Sequence, residues 1–166
     1  RFVCLISAYS GLRLKNVVHL KRNEVNLKDG WLNIKSQSKT GKPVSIPIGP
    51  GLRKVFKLFK VWPLRDEDRF FPTVKAKPIS VQVGKAFKKA GISWGSFHHF
   101  RHFAACELIN NGVPLEVVRE FLGHSDIKST LVYARLKGEK LQEAVSGFDT
   151  TLTQIEGQQF DWAVSN

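Results

Sequence analysis

Phe97-His98-His99-Phe100-Arg101-His102 opens the stretch FHHFRHFAACELINNGVPLEVVREFLGH, residues 97–124, and its spacing predicts two helices joined by a tight turn. The first runs from Phe97 to Ile109 and is stopped by Asn110-Asn111-Gly112. Pro114, which suits a first helical turn, opens the second; it passes through Val118 and Phe121 to Leu122, and Gly123 ends it. Upstream, Ile79 to Ala90 has an amphipathic pattern with Val83, Phe87 and Ala90 on its apolar side, closed by Gly91. Leu52 to Phe59 has helical spacing, whereas Trp62 to Pro72, with Pro63 and a charged run, reads as a loop. Glu24 to Leu27, the Asp29-Gly30 turn, Trp31 to Lys35 and Val44 to Ile48 alternate as a small antiparallel sheet. At the start, Phe2 to Ser10 is an apolar helix with Gly11 as a left-handed cap, and Leu12 to Leu20 suits a second short helix. Arg13 then stands in the corner between the two, and Tyr9 reads as core. Downstream, Ser125 is an N-cap candidate, Ser129 to Arg135 a helical turn bearing Tyr133, and Lys137 to Phe148 an amphipathic helix through Leu141, Ala144 and Val145. Asp149 to Asn166 is a polar tail, loose or docked on a partner. The expected fold class is α+β, mainly α-helical with a small antiparallel β-sheet.

The chain of 166 residues can bury one ordinary core. It contains no apolar run of the roughly 18 residues that a transmembrane helix needs. Cys4 and Cys106 are too sparse for a disulfide scaffold, no C-x-x-C pair offers a zinc site, and reduced cytosolic thiols are the expectation. With no Met and a start at Arg1, the chain reads as part of a longer protein. Its 26 Lys and Arg against 14 Asp and Glu give a net charge of +12. From Glu139 onward one basic residue faces five acidic ones, a net of −4; residues 1–138 hold 25 basic against nine acidic, a net of +16. Such an excess raises self-repulsion and fits a polyanionic partner, nucleic acid before an anionic membrane surface, because the basic residues do not line one amphipathic helix.

His98 and Arg101, three apart at a helix start, share a face. The free N–H groups of a helix N-terminus favour an anion, and a guanidinium fork grips two phosphate oxygens at once. Taken alone, the pair fits equally an interior histidine beside a surface ion-pair partner. His99 and His102 read as structural, and the four-residue spacing of His98 and His102 lacks the Glu of a zinc-binding H-E-x-x-H. Tyr133, nine residues beyond Leu122-Gly123-His124, is an ordinary surface residue on its own, yet a phenol attacks phosphorus when cations stabilise the phosphoryl centre.

Ser10-Gly11-Leu12-Arg13, Ser38-Lys39-Thr40-Gly41 before Val44-Ser45-Ile46-Pro47, His98 to Arg101, Leu122-Gly123-His124 and Ser129-Thr130-Leu131-Val132-Tyr133 follow one another in that order. Together they resemble the catalytic domain of the tyrosine recombinase (phage integrase) family, over roughly residues 2–148. The resemblance implies the DNA breaking-rejoining fold, a catalytic domain over 1–148, a C-terminal tail over 149–166 that docks on a neighbouring protomer or in cis, and an N-terminal DNA-clamping domain absent from this chain. It further implies that Tyr133 attacks a phosphodiester of double-stranded DNA to give a 3′-phosphotyrosine and a free 5′-hydroxyl. Arg13 and Arg101 would hold the non-bridging oxygens, and Lys39, with Lys42 as alternative, would protonate the leaving oxygen. His98 would accept the tyrosine proton or bond the phosphate, and His124 would donate to a non-bridging oxygen. No metal, ATP or other cofactor is called for, and no G-x-x-x-x-G-K-[ST] loop is present. Lys35, Lys42, Lys85, Lys88 and Lys89 are the candidates for DNA contacts, with a tetramer on DNA and a cytoplasmic, nucleoid-associated protein as the further expectations. A type IB topoisomerase and a non-catalytic DNA-binding module are the competing readings. One departure stands out: many relatives carry an acidic residue three places after the first Arg, where this chain has Asn16.

Overall fold

The first helix, α1 (Phe2–Ser10), ends where Gly11 turns left-handed at φ 65° and returns its N–H to the Ser7 carbonyl. Ser10 Oγ bonds the Ile6 carbonyl at 2.6 Å, and Ser7 Oγ bonds the Leu12 carbonyl at 2.8 Å. This knot reverses the chain and leaves Arg13 as the extended N-cap residue of α2 (Leu14–Val18), in the corner predicted for it. In the computed structural model, residues 1–35, 43–58, 64–124, 128–131 and 133 are described. Lys39, Lys42, Ser125, the predicted helix over 137–148 and the tail over 149–166 lie outside the described residues.

A 3-10 turn over Arg22–Glu24 leads into β1 (Val25–Asn26), β2 (Trp31–Ile34) and β3 (Val44–Pro47), an antiparallel sheet of order β1-β2-β3. The Asp29 turn forms as its sequence predicts, with Asn26 Oδ1 accepting the Asp29 N–H at 3.0 Å. Leu32, Ile34 and Ile46 are buried, and Leu32 pairs with Ile46, so one face of the sheet meets the core. The buried Glu24 carboxylate accepts the N–H groups of Lys21 and Lys35 at 3.0 and 3.1 Å, pinning the end of β2 to the 3-10 turn.

Helix α3 (Pro50–Leu58) starts two residues before the predicted Leu52, with Pro50 and Gly51 completing its first turn, and buries Leu52, Val55 and Phe56. Helix α4 (Ala76–Lys89) also starts early, because Pro78 sits in its first turn and breaks no internal bond. Val83 is buried and Phe87 half-buried, but Ala90 is exposed and belongs to the C-cap, a correction to the predicted apolar face. Helices α5 (His98–Asn110) and α6 (Leu115–Leu122) form the expected pair, and residues 128–131 and 133 are helical. In the predicted loop, the described residues 64–72 are pinned: Phe70 N–H bonds the Leu20 carbonyl at 3.0 Å, Lys21 bridges Arg69, and Phe70 and Phe71 are buried.

Two hydrophobic clusters result. The larger joins α1, α2, the sheet, α3, α4 and Phe97; the smaller joins Ala105, Ile109, Val118, Leu122 and Tyr133, and Phe121 packs against both. Tyr9 is not core: it is 49% exposed, its ring lying over Gly51 of α3, where a Cβ would come within 2.5 Å of Cε1. No helix among the described residues is long and apolar enough to cross a membrane.

Two glycine substitutions are expected to act in opposite directions. A Cβ on Gly11 would meet Leu122 Cδ2 at 2.8 Å on top of a left-handed backbone, whereas one on Gly84, inside α4, meets nothing within 4 Å. Gly11→Ala should therefore lower stability by more than about 1 kcal/mol, and Gly84→Ala should raise it by about 0.5–1 kcal/mol. Urea unfolding of both variants against wild type measures the two shifts.

Candidate active site

Arg101, on the second turn of α5, is only 2% exposed. Its Nη1 donates to the Gly11 carbonyl and its Nη2 to the Leu122 carbonyl, each at 2.6 Å. Both acceptors lie at helix C-termini that end in left-handed glycines, Gly11 and Gly123. The carbonyl end of a helix carries partial negative charge, so two charge-assisted bonds offset the cost of burying this cation. Burial, and then the neighbouring Arg13 charge, lower the Arg101 pKa to about 10, which still leaves it protonated at neutral pH. Its Nε is buried with no hydrogen-bond partner among the described residues.

The same two glycine corners present Arg13 and His124, each two residues beyond a carbonyl that Arg101 holds. Arg13 is exposed at the head of α2. His124 follows Gly123, returns its N–H to the Arg119 carbonyl, and places Nδ1 2.9 Å from the hydroxyl of the fully buried Thr130. Burial lowers its pKa to about 4, with Arg101, Arg13, His98 and His102 adding like charge. His98 is exposed at the start of α5 with its ring edge-on to His102, centroids 4.6 Å apart, and partial desolvation followed by His102, Arg101, Arg13 and His99 lowers its pKa.

Tyr133 is 3% exposed, its ring packed in the smaller cluster, and its Oη lies 2.7 Å from His102 Nδ1. Burial raises the phenol pKa, and the Arg101 charge opposes that rise. His102 itself is lowered by burial, His99 and Arg101, and so is neutral at pH 7. Arg13, His98, Arg101, His124 and Tyr133 thus converge on one region, as their order in the sequence suggested. Lys39 and Lys42 lie outside the described residues. Lys85, Lys88 and Lys89 are exposed on α4, and Lys35 is exposed at the end of β2 with its N–H held by Glu24.

Two polar residues in this region were given no functional role from the sequence. His102, which reads as structural in the sequence, instead meets the Tyr133 hydroxyl, a partner 31 residues away. Thr130 shows its use only through its bond to His124, six residues away. His99 is structural as read: its Nδ1 accepts the Ser96 N–H at 3.0 Å and its ring meets Trp94. Asn16 is buried with Oδ1 unpartnered, so that oxygen does not brace Arg13 as an acidic residue would. Among the described residues the ion pairs are Lys21–Glu67 and Arg65–Asp68, neither involving the cluster. No group of three or more His, Cys, Asp or Glu among those residues is placed to hold a metal ion.

A model of the phage integrase family matches residues 1–140. Tyrosine recombinase XerA of Pyrococcus furiosus is 29% identical over 166 residues, which cover 95% of this chain and 57% of that protein. The chain spans about half the length of the curated relatives it matches. Among solved structures, XerH site-specific recombinase bound to a palindromic difH substrate superposes with a TM-score of 0.70 at 22% identity, over 90% of this chain and 45% of that one. The catalytic domain of bacteriophage HP1 integrase gives 0.63 at 24% identity, over 87% and 79%. These likenesses show the fold.

Neutral, half-buried imidazoles make stability depend on pH. Below their ordinary pKa of 6.5 the unfolded histidines bind protons that folded His124 refuses down to about 4, so folding weakens as pH falls through that window. The urea midpoint should drop from pH 6.5 toward pH 4, and His124→Gln should flatten part of that slope. Equal slopes for wild type and variant would mean that His124 titrates as a solvated group.

Proposed function

The chain belongs to the phage integrase family, and from that premise we propose that it is the catalytic part of a site-specific tyrosine recombinase, which cleaves and rejoins DNA strands through a 3′-phosphotyrosine. One observation carries the reading. Tyr133 adjoins Arg101 and His102, and these in turn neighbour Arg13, His98 and His124, with no carboxylate ion-paired to any of the five among the described residues. The buried Arg101 guanidinium beside the exposed Arg13 concentrates positive charge that suits an anion. A tyrosine hydroxyl at its edge supplies a nucleophile for that anion.

In this reading a DNA phosphodiester lies between Arg13 and Arg101, which neutralise the charge that grows on its non-bridging oxygens in the pentacoordinate transition state. Arg101 is held rigidly by two helix ends, so it needs no reorganisation as that charge develops. A neutral His124 whose Nδ1 accepts from Thr130 carries its proton on Nε2 and donates it to a non-bridging oxygen. His98 bonds the phosphate from the same side. Tyr133 attacks, and the departing 5′-oxygen takes a proton from Lys39, the role its family position implies. The high-energy link survives in the phosphotyrosine, so rejoining needs no ATP.

The exposed lysines of α4, Lys85, Lys88 and Lys89, together with Lys35 and, from its place in the sequence, Lys42, serve the DNA backbone and bases. The acidic segment over 149–166 fits a docking tail that couples protomers, and a tetramer on DNA with an N-terminal clamp supplied by the longer protein completes the proposal.

Covalent capture tests it. Wild type incubated with libraries of nicked duplexes should yield an SDS-stable adduct that mass spectrometry maps to Tyr133, and Tyr133→Phe should bind DNA but yield none. Arg13→Ala should slow cleavage by about 10²–10³-fold with stability unchanged, because its side chain is exposed. Arg101→Ala should lose a comparable rate and stability as well, because it also frees two buried carbonyls. Salt-sensitive binding without any adduct would favour a non-catalytic module, and plasmid relaxation without strand exchange a topoisomerase.

A further inference from the structure

Tyr133 must lose its phenolic proton as it bonds to phosphorus, and must regain it when the strand is rejoined. The site therefore needs a group that takes this proton and returns it. His98 is the residue that family position suggests, yet among the described residues the group hydrogen-bonded to Oη is His102, at 2.7 Å through Nδ1. His98 stands edge-on against the far ring, its centroid 4.6 Å from that of His102. An acid or base must reach its proton within about 2.6–3.2 Å, and His102 meets that condition.

We propose that His102, through Nδ1, is the proton acceptor for Tyr133 in strand cleavage and its proton donor in rejoining; this rests on the strand-cleavage reading above. In the forward step a lone pair of Tyr133 Oη forms the bond to phosphorus and the P–O5′ bond breaks with its electron pair on O5′. The phenolic proton passes to Nδ1 of His102, and O5′ takes its proton from the general acid. In the reverse step each movement is undone, and the imidazolium protonates the departing phenolate.

The surroundings of His102 fit a base that holds its proton only briefly. It faces Arg101, His98 and His99 on its own helix, Tyr133 and, beyond α6, His124, with no acidic group among the described residues to stabilise an imidazolium. Proton transfer to it before attack is uphill, since burial raises the phenol and lowers the imidazole. The proton moves as the Oη–P bond forms and the oxygen loses basicity. The imidazolium so formed is repelled by Arg101, which favours return of the proton and keeps the reaction reversible. Neutral His102 accepting at Nδ1 must carry its hydrogen on Nε2.

Two measurements decide this. In the free wild-type chain, long-range ¹⁵N–¹H correlation should show the neutral form of His102, above its pKa, with hydrogen on Nε2; neutral His102 with hydrogen on Nδ1 would overturn the proposal without any DNA present. In the second, duplexes captured by wild type are cleaved by His102→Asn, whose amide oxygen can accept the bond but not take the proton, and by His102→Gln. Both should bind DNA within about twofold of wild type and cleave about 10²–10⁴-fold more slowly. The defect should persist on a duplex with sulfur replacing the 5′-bridging oxygen, because that leaving group needs no acid. Cleavage within about threefold of wild type, or recovery on the sulfur duplex, would overturn the assignment of His102 alone. Absence of any wild-type adduct on bound DNA would overturn the strand-cleavage reading, and the proposal with it.

Discussion

The Arg101 guanidinium joins the carbonyls of Gly11 and Leu122, and through them it fixes the positions of three separate parts of the chain. A buried cation costs several kcal/mol unless its donors are met. Here they are met by the carbonyl ends of two helices, where partial negative charge is already concentrated. The left-handed glycines that end both helices let the chain turn away at once after each anchored carbonyl. Arg13 and His124 each follow two residues later. One side chain on α5 thereby sets the spacing of a guanidinium from the first corner and an imidazole from the second, and the Tyr133 segment closes over the same helix through His102.

That arrangement concentrates positive charge in a place the protein itself does not neutralise. The depressed imidazoles and the lowered Arg101 report the same imbalance from different groups, and burial is the leading cause for each. Keeping the histidines neutral has a chemical use. A neutral imidazole donates from one nitrogen and accepts at the other, so His124 and His102 can serve an anion and a phenol at once, which imidazolium cannot do. The two arginines supply the permanent charge.

Most of the secondary structure was legible because its signals are local. The Ser10-Gly11 cap, the Asp29-Gly30 turn and the Asn110 to Pro114 break each specify backbone within a few residues, and the elements they bound appear where expected. What stayed hidden depends on partners distant in sequence. Tyr9 sits in an apolar helix yet lies outside, because α3 approaches with glycine at Gly51. Phe70 and Phe71 sit in a charged loop yet are buried, because residues 20–23 pair with that loop through backbone bonds. The motif residues could be named from order and spacing, but that His102 rather than its neighbours meets the tyrosine follows only from how α5 and the 128–133 segment pack.

The Gly11 carbonyl and the Arg101 guanidinium are separated by 90 residues, and Tyr133 is 32 residues further on. Contacts of such separation form late, since a long loop must close before they contribute. During synthesis the first helix, the sheet and α3 emerge well before the arginine that completes their corner. Until α5 arrives, the corner at Gly11 is held by its own serine bonds alone, and the grouping of Arg13, Arg101, His124 and Tyr133 is among the later-formed parts of the described structure.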